Sequence, residues 1–454
     1  MNKPNVILLT IDALRADMLG CYGHKPSVTP NLDRLASTGI RFEQAITGGS
    51  WTQAAFPVLL TSTYASMYGG CLGPLSPERP SPIEALAKDG YTTGGFSTSP
   101  LLSQEYGYHR GFHHFVDLVP GESDPRLRRV KGGERLLRTP LTHYISGMIG
   151  ARTRPARIYV SAEDLTDTVC TWLEGVEEPF FAWAHYMDVH WPYHLEERLD
   201  HPWEIAQSWR DLAHLYRVNW KGASVTSAQR ERYTRLYEQA IHYTDAQIGR
   251  LINTLDKLGH LANTIVVIVS DHGEEFLEHG RWGHLEVNLF DEILKVPFIV
   301  YLPGLPAGQV VQRQVRLLDL MPTILDLCDC PPPDGLQGTS LVPLWTHNVA
   351  RNETEISISE RLRLDWHIVA IRTEAFKYIW DNQKRDQPRL FDLRADPSER
   401  ENVSNQYPDL VRQFQAKVDA HLDFIAERRP IHQVAEPEHD NAVAQRLRDL
   451  GYIE

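Results

Sequence analysis

Short apolar runs alternate with amphipathic stretches along most of the chain. Val6-Ile7-Leu8-Leu9-Thr10-Ile11 is broken only by Thr10, Phe180-Phe181-Ala182-Trp183-Ala184 and Ile265 to Val269 are unbroken, and Val296 to Leu302 is interrupted only by Pro297. Runs of this length predict strands buried on both faces, as in a parallel sheet. Between them lie helix signals. Thr29-Pro30 and Ser81-Pro82 each offer a capping residue followed by proline at the first helical position, with Gly39 and Gly90 as the stops. Gln53 to Leu60 reads as helical. Ser227 to about Leu258 reads as a long amphipathic helix that buries Tyr237, Ala240, Ile241, part of Tyr243, Ile248 and Leu251. Strands alternating with helices imply an α/β fold with a mostly parallel sheet.

The pattern shifts near residue 345. Ile356-Ser357-Ile358-Ser359, His367 to Ile371 and Lys377 to Trp380 predict short strands, and Pro408 to Ala426 predicts a helix. The expected organisation is a catalytic domain over 1–345, a smaller C-terminal α+β subdomain over 346–430, and a polar tail over 431–454.

Composition narrows the partners. The 46 basic and 59 acidic residues leave a net charge of −13, which argues against a nucleic-acid partner. One segment runs against that balance. Within an insertion over about 120–158, nine basic residues and a single acid, Glu134, lie between Arg126 and Arg157. It reads as a solvated insertion, as a collar attracting anions to the site, or as a peripheral membrane contact. No apolar stretch approaches the roughly 18 residues of a spanning helix. No charged region followed by an apolar run marks a signal peptide. The five scattered cysteines make no disulfide framework. A cytoplasmic, reduced protein is expected, with Cys328 and Cys330 as packing residues and Lys377 at the surface. Nothing in the pattern fixes an oligomeric state.

The chemistry sits at the carboxyl ends of the predicted strands, where open parallel sheets bind ligands. Asp12 ends the first strand. His185, Asp188 and His190 follow the second. Asp271 and His272 end the third. Carboxylates with an imidazole suit a divalent cation. Thr52 falls at or near the start of the Gln53–Leu60 helix. There it reads either as a cap or as a hydroxyl placed where the orphan amides favour a negative oxygen.

These residues resemble the sulfatase branch of the alkaline phosphatase superfamily. Asn5 to Asp12 resembles its first strand and metal aspartate. Cys21-Tyr22-Gly23 with Thr29 to Ala36, Leu59-Leu60-Thr61-Ser62, His185 to Tyr193, Ser270 to Glu274, Leu318 to Leu325, and Leu390 to Leu393 with Asp396-Pro397 and Glu401-Asn402 follow in the family's order. The resemblance implies a three-layer α/β/α sandwich and a metal-dependent hydrolase of a small anionic ester. Metal ligands would be Asp12, Thr52, Asp271 and His272. Substrate would meet His185, Asp188 and Tyr193. His190, with His284 as second candidate, would protonate the leaving oxygen or hold the anion.

Departures from the family pattern redirect the expected reaction. Counting back from Leu59-Leu60-Thr61 places Thr52 at the position where sulfatases form an aldehyde from Cys or Ser. Ala54 and Phe56 stand where that motif has Pro and Arg, Ala13 stands where many sulfatases carry a second Asp, and Ser62 replaces a usual Gly. Threonine cannot give that aldehyde by the same chemistry. Phosphate-ester cleavage, above all of phosphodiesters, through a phosphorylated Thr52 is therefore expected. Sulfate-ester hydrolysis and phospho-group transfer to a lipid or glycan are the alternatives, with a non-catalytic binding protein as a third. One divalent ion, Mn²⁺ or Zn²⁺ in preference to Ca²⁺, is expected, with His185, Asp188, His190 or His284 leaving room for a second metal.

Overall fold

A computed structural model describes residues 3–118, 159–193, 202–284, 289–304, 308–346, 356–363 and 366–428. The basic insertion from Arg126 to Arg157 and the tail from 431 lie outside the described residues.

The first strand sets the layering. β1 (Asn5–Ile11) is buried at every position and pairs in parallel with β5 (Phe180–Tyr186) on one side and β6 (Thr264–Ser270) on the other. Successive strand side chains point to opposite faces. Ile7, Leu9 and Ile11 accordingly pack with α1 (Pro30–Thr38), α4 (Ala162–Leu173) and α6 (Ser227–Lys257). Val6 and Leu8 join the opposite core with α2 (Thr52–Thr61), α3 (Pro82–Lys88) and α7 (Leu320–Leu327). One strand thus feeds two cores, and the expected α/β/α sandwich follows. α5 (Pro202–Lys221) is the remaining long helix of this half among the described residues.

The sheet extends outward through β3 (Thr92–Ser97) and β4 (His114–Asp117), both parallel, and on the other flank through β10 (Phe298–Tyr301), β2 (Ile40–Ile46) and β11 (Gln309–Arg316). Beyond β6 a short antiparallel pair, β7 (Glu275–Phe276) and β8 (Trp282–Gly283), precedes the predicted strand Val296–Leu302, which is split. Lys295–Val296 (β9) pairs with β2, while β10 runs antiparallel to both β2 and β6. Pro297, which lacks an N–H, stands at the break.

The C-terminal sheet is antiparallel: β12 (Ser357–Arg363), β13 (Trp366–Arg372), β14 (Phe376–Asp381) and β15 (Arg389–Asp392), in that order. Val369 and Ile371 face α8 (Pro408–Ala426) together with Phe414 and Val418, while Ile368 and Ala370 face Ile46 and Leu294 of the larger unit. Both sheet faces are therefore covered. Lys377 corrects the expectation of a surface position. It is fully buried, 2.6 Å from Asp291 and 2.8 Å from Glu399, and Arg372 meets Asp291 at 2.8 Å. These ion pairs bind the two units together. Cys328 and Cys330 are buried thiols, as expected of packing residues.

Two junctions place the site. Ala13 adopts the left-handed conformation (φ 57°), which turns the chain sharply after β1. Its amide reaches Asp271 Oδ1 at 3.3 Å, and Leu14 N donates to Ser270 Oγ at 2.9 Å. The ends of β1 and β6 are thereby tied together. At the far end of α2, Ser62 takes φ 51° where glycine would be unstrained. Its hydroxyl donates to Leu318 O at 2.7 Å and accepts from Gly338 N at 3.0 Å, which offsets the strain.

Candidate active site

Asp12, Asp271 and His272 come together at the carboxyl ends of β1 and β6. A ligand atom from each lies within 4.8 Å of the others. All three side chains are fully buried. His272 Nδ1 donates to Gly273 O at 2.9 Å, which fixes the tautomer and leaves Nε2 as a lone pair. That Nε2 lies 3.6 Å from Asp12 Oδ1 and 3.5 Å from Asp271 Oδ2. Asp12 Oδ1, Asp271 Oδ2 and His272 Nε2 have no hydrogen-bond partner among the described residues. Three buried, orphaned, convergent electron-pair donors are costly unless a cation occupies their centre. The donor set of two carboxylates and one imidazole fits a divalent ion.

The protonation pattern agrees. Burial alone would raise the Asp12 carboxyl, but His190, His185 and His272 outweigh it and hold it well below the usual carboxylate range. Burial and the Asp12 charge push Asp271 well above that range. A divalent ion would let both ionise. Gly273 is required by close approach: a Cβ there would meet Glu292 O at 2.1 Å.

Thr52 is the first residue of α2. Trp51 is the N-cap and offers no side-chain cap. Thr52 instead donates its hydroxyl to Asp12 Oδ2 at 3.3 Å and is 1% exposed. The cap alternative for Thr52 thus loses to a side chain aimed at the acidic cluster.

The predicted histidines divide into two sets. His185 lies behind Asp12: its Nε2 is 3.4 Å from Asp12 Oδ2, its Nδ1 is 2.9 Å from Thr10 Oγ1, and Phe56 covers its ring edge-on at 5.0 Å. That arrangement orients Asp12. His190 and His284 lie on the opposite side, with ring centroids 4.9 Å apart, and His284 is 4.3 Å from the His272 ring. His190 Nδ1 donates to the Trp191 carbonyl. Burial pushes the His190 imidazole down to about 4, so it rests neutral at physiological pH. Tyr159 steadies this turn through the carbonyls of His190 and Pro192, each at 2.9 Å.

His284 Nδ1 pairs with Glu274 Oε1 at 2.9 Å, and Tyr193 donates to Glu274 Oε2 at 3.0 Å. Burial pushes Glu274 up to about 7. Burial first, and then the neighbouring His272 and Arg361, hold His284 well below the ordinary imidazole range. His284 Nε2 is buried with no hydrogen-bond partner among the described residues. Tyr193, expected at the substrate, is therefore placed as the support of Glu274. Asp188 is buried on the same turn as His190, but its charge acts on Tyr186, whose hydroxyl pairs with Thr166 of α4.

Two participants escaped the sequence reading. Glu274 stood inside the Asp271–Glu274 motif without a role. Arg361 stood in a short C-terminal strand with no local signal. It is 3% exposed, and its guanidinium lies over the Trp51 ring at 4.8 Å. β12 carries it there by docking on the loop before α2: Glu360 N donates to Gly48 O at 2.9 Å, and Ser359 Oγ donates to Thr47 O at 2.5 Å.

Comparison with known proteins fits this geometry. The N-sulphoglucosamine sulphohydrolase C-terminal profile matches residues 278–423. An arylsulfatase of Clostridium perfringens is 26% identical, over 89% of this chain and 90% of its own. An N-acetylglucosamine-6-O-sulfatase of Bacteroides thetaiotaomicron is 24% identical over 88% and 82%. Among solved structures, a phosphonate monoester hydrolase of Agrobacterium radiobacter superposes with a TM-score of 0.73 at 22% identity, covering 93% of this chain and 96% of that one. A protein in complex with its substrate D-glucosamine-2-N,6-O-disulfate superposes with a TM-score of 0.71 at 20% identity, covering 95% and 100%. The sulfatase profile itself matches residues 4–330, a span holding β1, α2 and both halves of the acidic cluster; the chain belongs to the sulfatase family of ester-bond hydrolases.

Proposed function

We propose that this protein hydrolyses singly charged phosphorus esters, phosphodiesters or phosphonate monoesters, by in-line attack of Thr52. The observation that carries the reading is the hydroxyl of Thr52, at the head of α2 and 3.3 Å from Asp12, with Ala54 and Phe56 beside it. One divalent ion, Mn²⁺ or Zn²⁺, would be held by Asp12, Asp271, His272 and the Thr52 oxygen. When bound, it supplies Lewis acidity and lowers the pKa of the hydroxyl.

The chain's own groups do the rest. Thr52 Oγ forms a bond to phosphorus as the bond from phosphorus to the alcohol oxygen breaks, and its own proton passes along the hydrogen bond to Asp12; the threonyl phosphodiester or phosphonylated threonine that results is then hydrolysed by water. The helix N-terminus favours the negative oxygens. The leaving oxygen needs a proton. Glu274 holds one over part of the neutral range and can pass it along its hydrogen bond to His284, whose Nε2 lies beyond. This favours His284 over His190, whose Nδ1–H is committed to a carbonyl. Tyr193 keeps Glu274 in line.

Sulfate-ester hydrolysis is the second reading, favoured by the names of the relatives at 24–26% identity. The two differ in how the intermediate breaks down. The aldehyde hydrate of a sulfatase expels sulfate through its second hydroxyl, whereas a sulfated threonine has no such route and should persist. The test is kcat/KM on matched nitrophenyl esters with metal restored. Phosphorus esters should exceed sulfate esters by at least ~100-fold, roughly 2.7 kcal/mol in barrier. Efficient multiple turnover of a sulfate ester by protein whose Thr52 is intact by mass would overturn the proposal.

A further inference from the structure

The hairpin β7–β8 pairs at two positions, Glu275 with Gly283 and Phe276 with Trp282. A two-stranded ribbon that short is marginal on its own, yet Glu274 stands at its entry and His284 at its exit. The Glu274–His284 hydrogen bond closes its base. Further anchors hold the rest. Arg15 reaches Glu274 O at 3.0 Å and Glu278 Oε1 at 2.8 Å, and Arg400 donates to Glu278 O. His279 is the third. Its Nδ1 lies 2.7 Å from Glu292 Oε1, and its Nε2 lies 3.2 Å from Glu399 O. The ring stacks on Phe290 with centroids 3.6 Å apart. A carboxylate and a backbone carbonyl only accept hydrogen bonds. A neutral imidazole has one N–H, so this ring satisfies both partners only as the imidazolium.

We propose that His279, held as an imidazolium between Glu292 and Glu399, is a positioning residue that clamps this hairpin and so places His284, and that the clamp opens as pH rises. Its effect on turnover rests on the reading that His284 serves the leaving oxygen. The surroundings favour the charge. On the hairpin itself, Glu275 accepts from the amides of His279 and Arg281 at 2.9 and 2.8 Å, and Glu278 is bound by Arg15. Glu292 and Asp291 come from the turn after Phe290, and Glu399 and Arg400 from the C-terminal unit. Lys377 meets Asp291 and Glu399, Arg372 meets Asp291, and Arg389 lies over the Phe290 ring at 6.0 Å. Burial opposes the charge on His279, but Glu292 and then Glu399 outweigh it and raise its pKa above the ordinary 6.5. Arginine keeps its charge at every working pH. Of the three anchors, only His279 can be released by losing a proton.

The test begins with the ring's own titration in the metal-loaded protein. Nitrogen NMR of isotope-labelled histidine, assigned by substitution, should show both His279 ring nitrogens protonated at about pH 6, with a midpoint above 6.5. A raised folded pKa contributes stability below the unfolded value and loses it as pH climbs through the folded one. The Tm gap between wild type and His279→Gln should therefore be full below about pH 6 and close on alkalinisation. Amide exchange across 275–283, corrected for its intrinsic pH dependence, should quicken over the same range. At low pH the His279→Gln hairpin should already exchange fast, with metal content unchanged and kcat/KM lower by roughly 10- to 100-fold, the effect of a displaced His284. Glu292→Gln removes the carboxylate and should lower the ring's midpoint; it carries the test should His279→Gln fail to fold. One unprotonated ring nitrogen at about pH 6, an unmoved midpoint in Glu292→Gln, or a loosened hairpin with unchanged kcat/KM would overturn the proposal. So would a second divalent ion that is lost with His279, because a cation would then stand where the proton is placed. The ring titration and amide exchange do not depend on which ester is cleaved, so they stand even if the phosphorus-ester reading fails.

Discussion

Replacing Thr52 by alanine separates a nucleophile from a structural residue, because the structure bounds the stability cost. The substitution removes one methyl and one hydroxyl from a side chain that is 1% exposed. The methyl contributes about 0.8 kcal/mol of burial. The long hydrogen bond to Asp12, at 3.3 Å, contributes about 1 kcal/mol. Alanine returns a few tenths through helix propensity. The net cost is about 1–1.5 kcal/mol, a shift of at most a few degrees in Tm. Loss of the attacking oxygen is a different scale: at least ~1,000-fold in kcat/KM, about 4 kcal/mol. Thr52→Ser keeps the oxygen and loses the methyl that restricts χ1, so it should retain measurable activity and fall between the two. The assay is kcat/KM on a nitrophenyl phosphonate and on bis-nitrophenyl phosphate, with Tm and metal content measured on the same samples. A folded, metal-loaded alanine variant within ~10-fold of wild type would refute the covalent route.

Other substitutions probe the supports. Elemental analysis should find about one divalent metal per chain, and Asp271→Asn combined with His272→Ala should remove it; full occupancy in that double variant would refute the assigned ligands. Gly273→Ala should destabilise strongly, since its Cβ would sit 2.1 Å from Glu292 O, and a Tm within a degree of wild type would contradict that packing. Asp291 probes acid stability. Burial opposes its charge, but Arg372 and Lys377 hold it well below its ordinary 3.8. A depressed carboxyl stabilises above its unfolded pKa and loses that contribution as pH falls toward its folded one. The Tm gap between wild type and Asp291→Asn should therefore be full above about pH 5 and shrink below about pH 4; a gap that widens on acidification would reverse the assigned sign.

What the sequence disclosed follows from how locally each feature is encoded. β1, β5 and β6 are continuous apolar runs because both of their faces meet helices, and that burial is written residue by residue. β2 and β11 alternate polar with apolar residues near the sheet edge, and β3 carries Gly94 and Gly95, so their patterns do not stand out from loops. In the site, Asp12, Asp271 and His272 were legible because strand ends announce them. Thr52 was ambiguous until the structure put Trp51 in the cap position. Tyr193 and His185 looked like substrate groups because sequence gives proximity and not direction. Their hydrogen bonds to Glu274 and their approach to Asp12 depend on side-chain orientation. Lys377 reads as a surface residue and Arg361 carries no local signal, because Asp291 and Trp51, against which they lie, stand more than eighty residues away in the chain.

The docking of β12 on the loop before α2 has a consequence for the order in which the protein becomes competent during synthesis. Domains fold from the N-terminus as the chain emerges. Asp12, Thr52, Asp271 and His272 all precede residue 280, so the metal cluster can assemble early. β12 needs β13 and β14 beside it, and its seat on Thr47 and Gly48 forms only once those strands exist. The nascent enzyme therefore passes through a stage in which its cation site is built while the wall over Trp51 is still missing. In that stage the loop before Thr52 lacks the strand partner that Ser359 and Glu360 provide at Thr47 and Gly48.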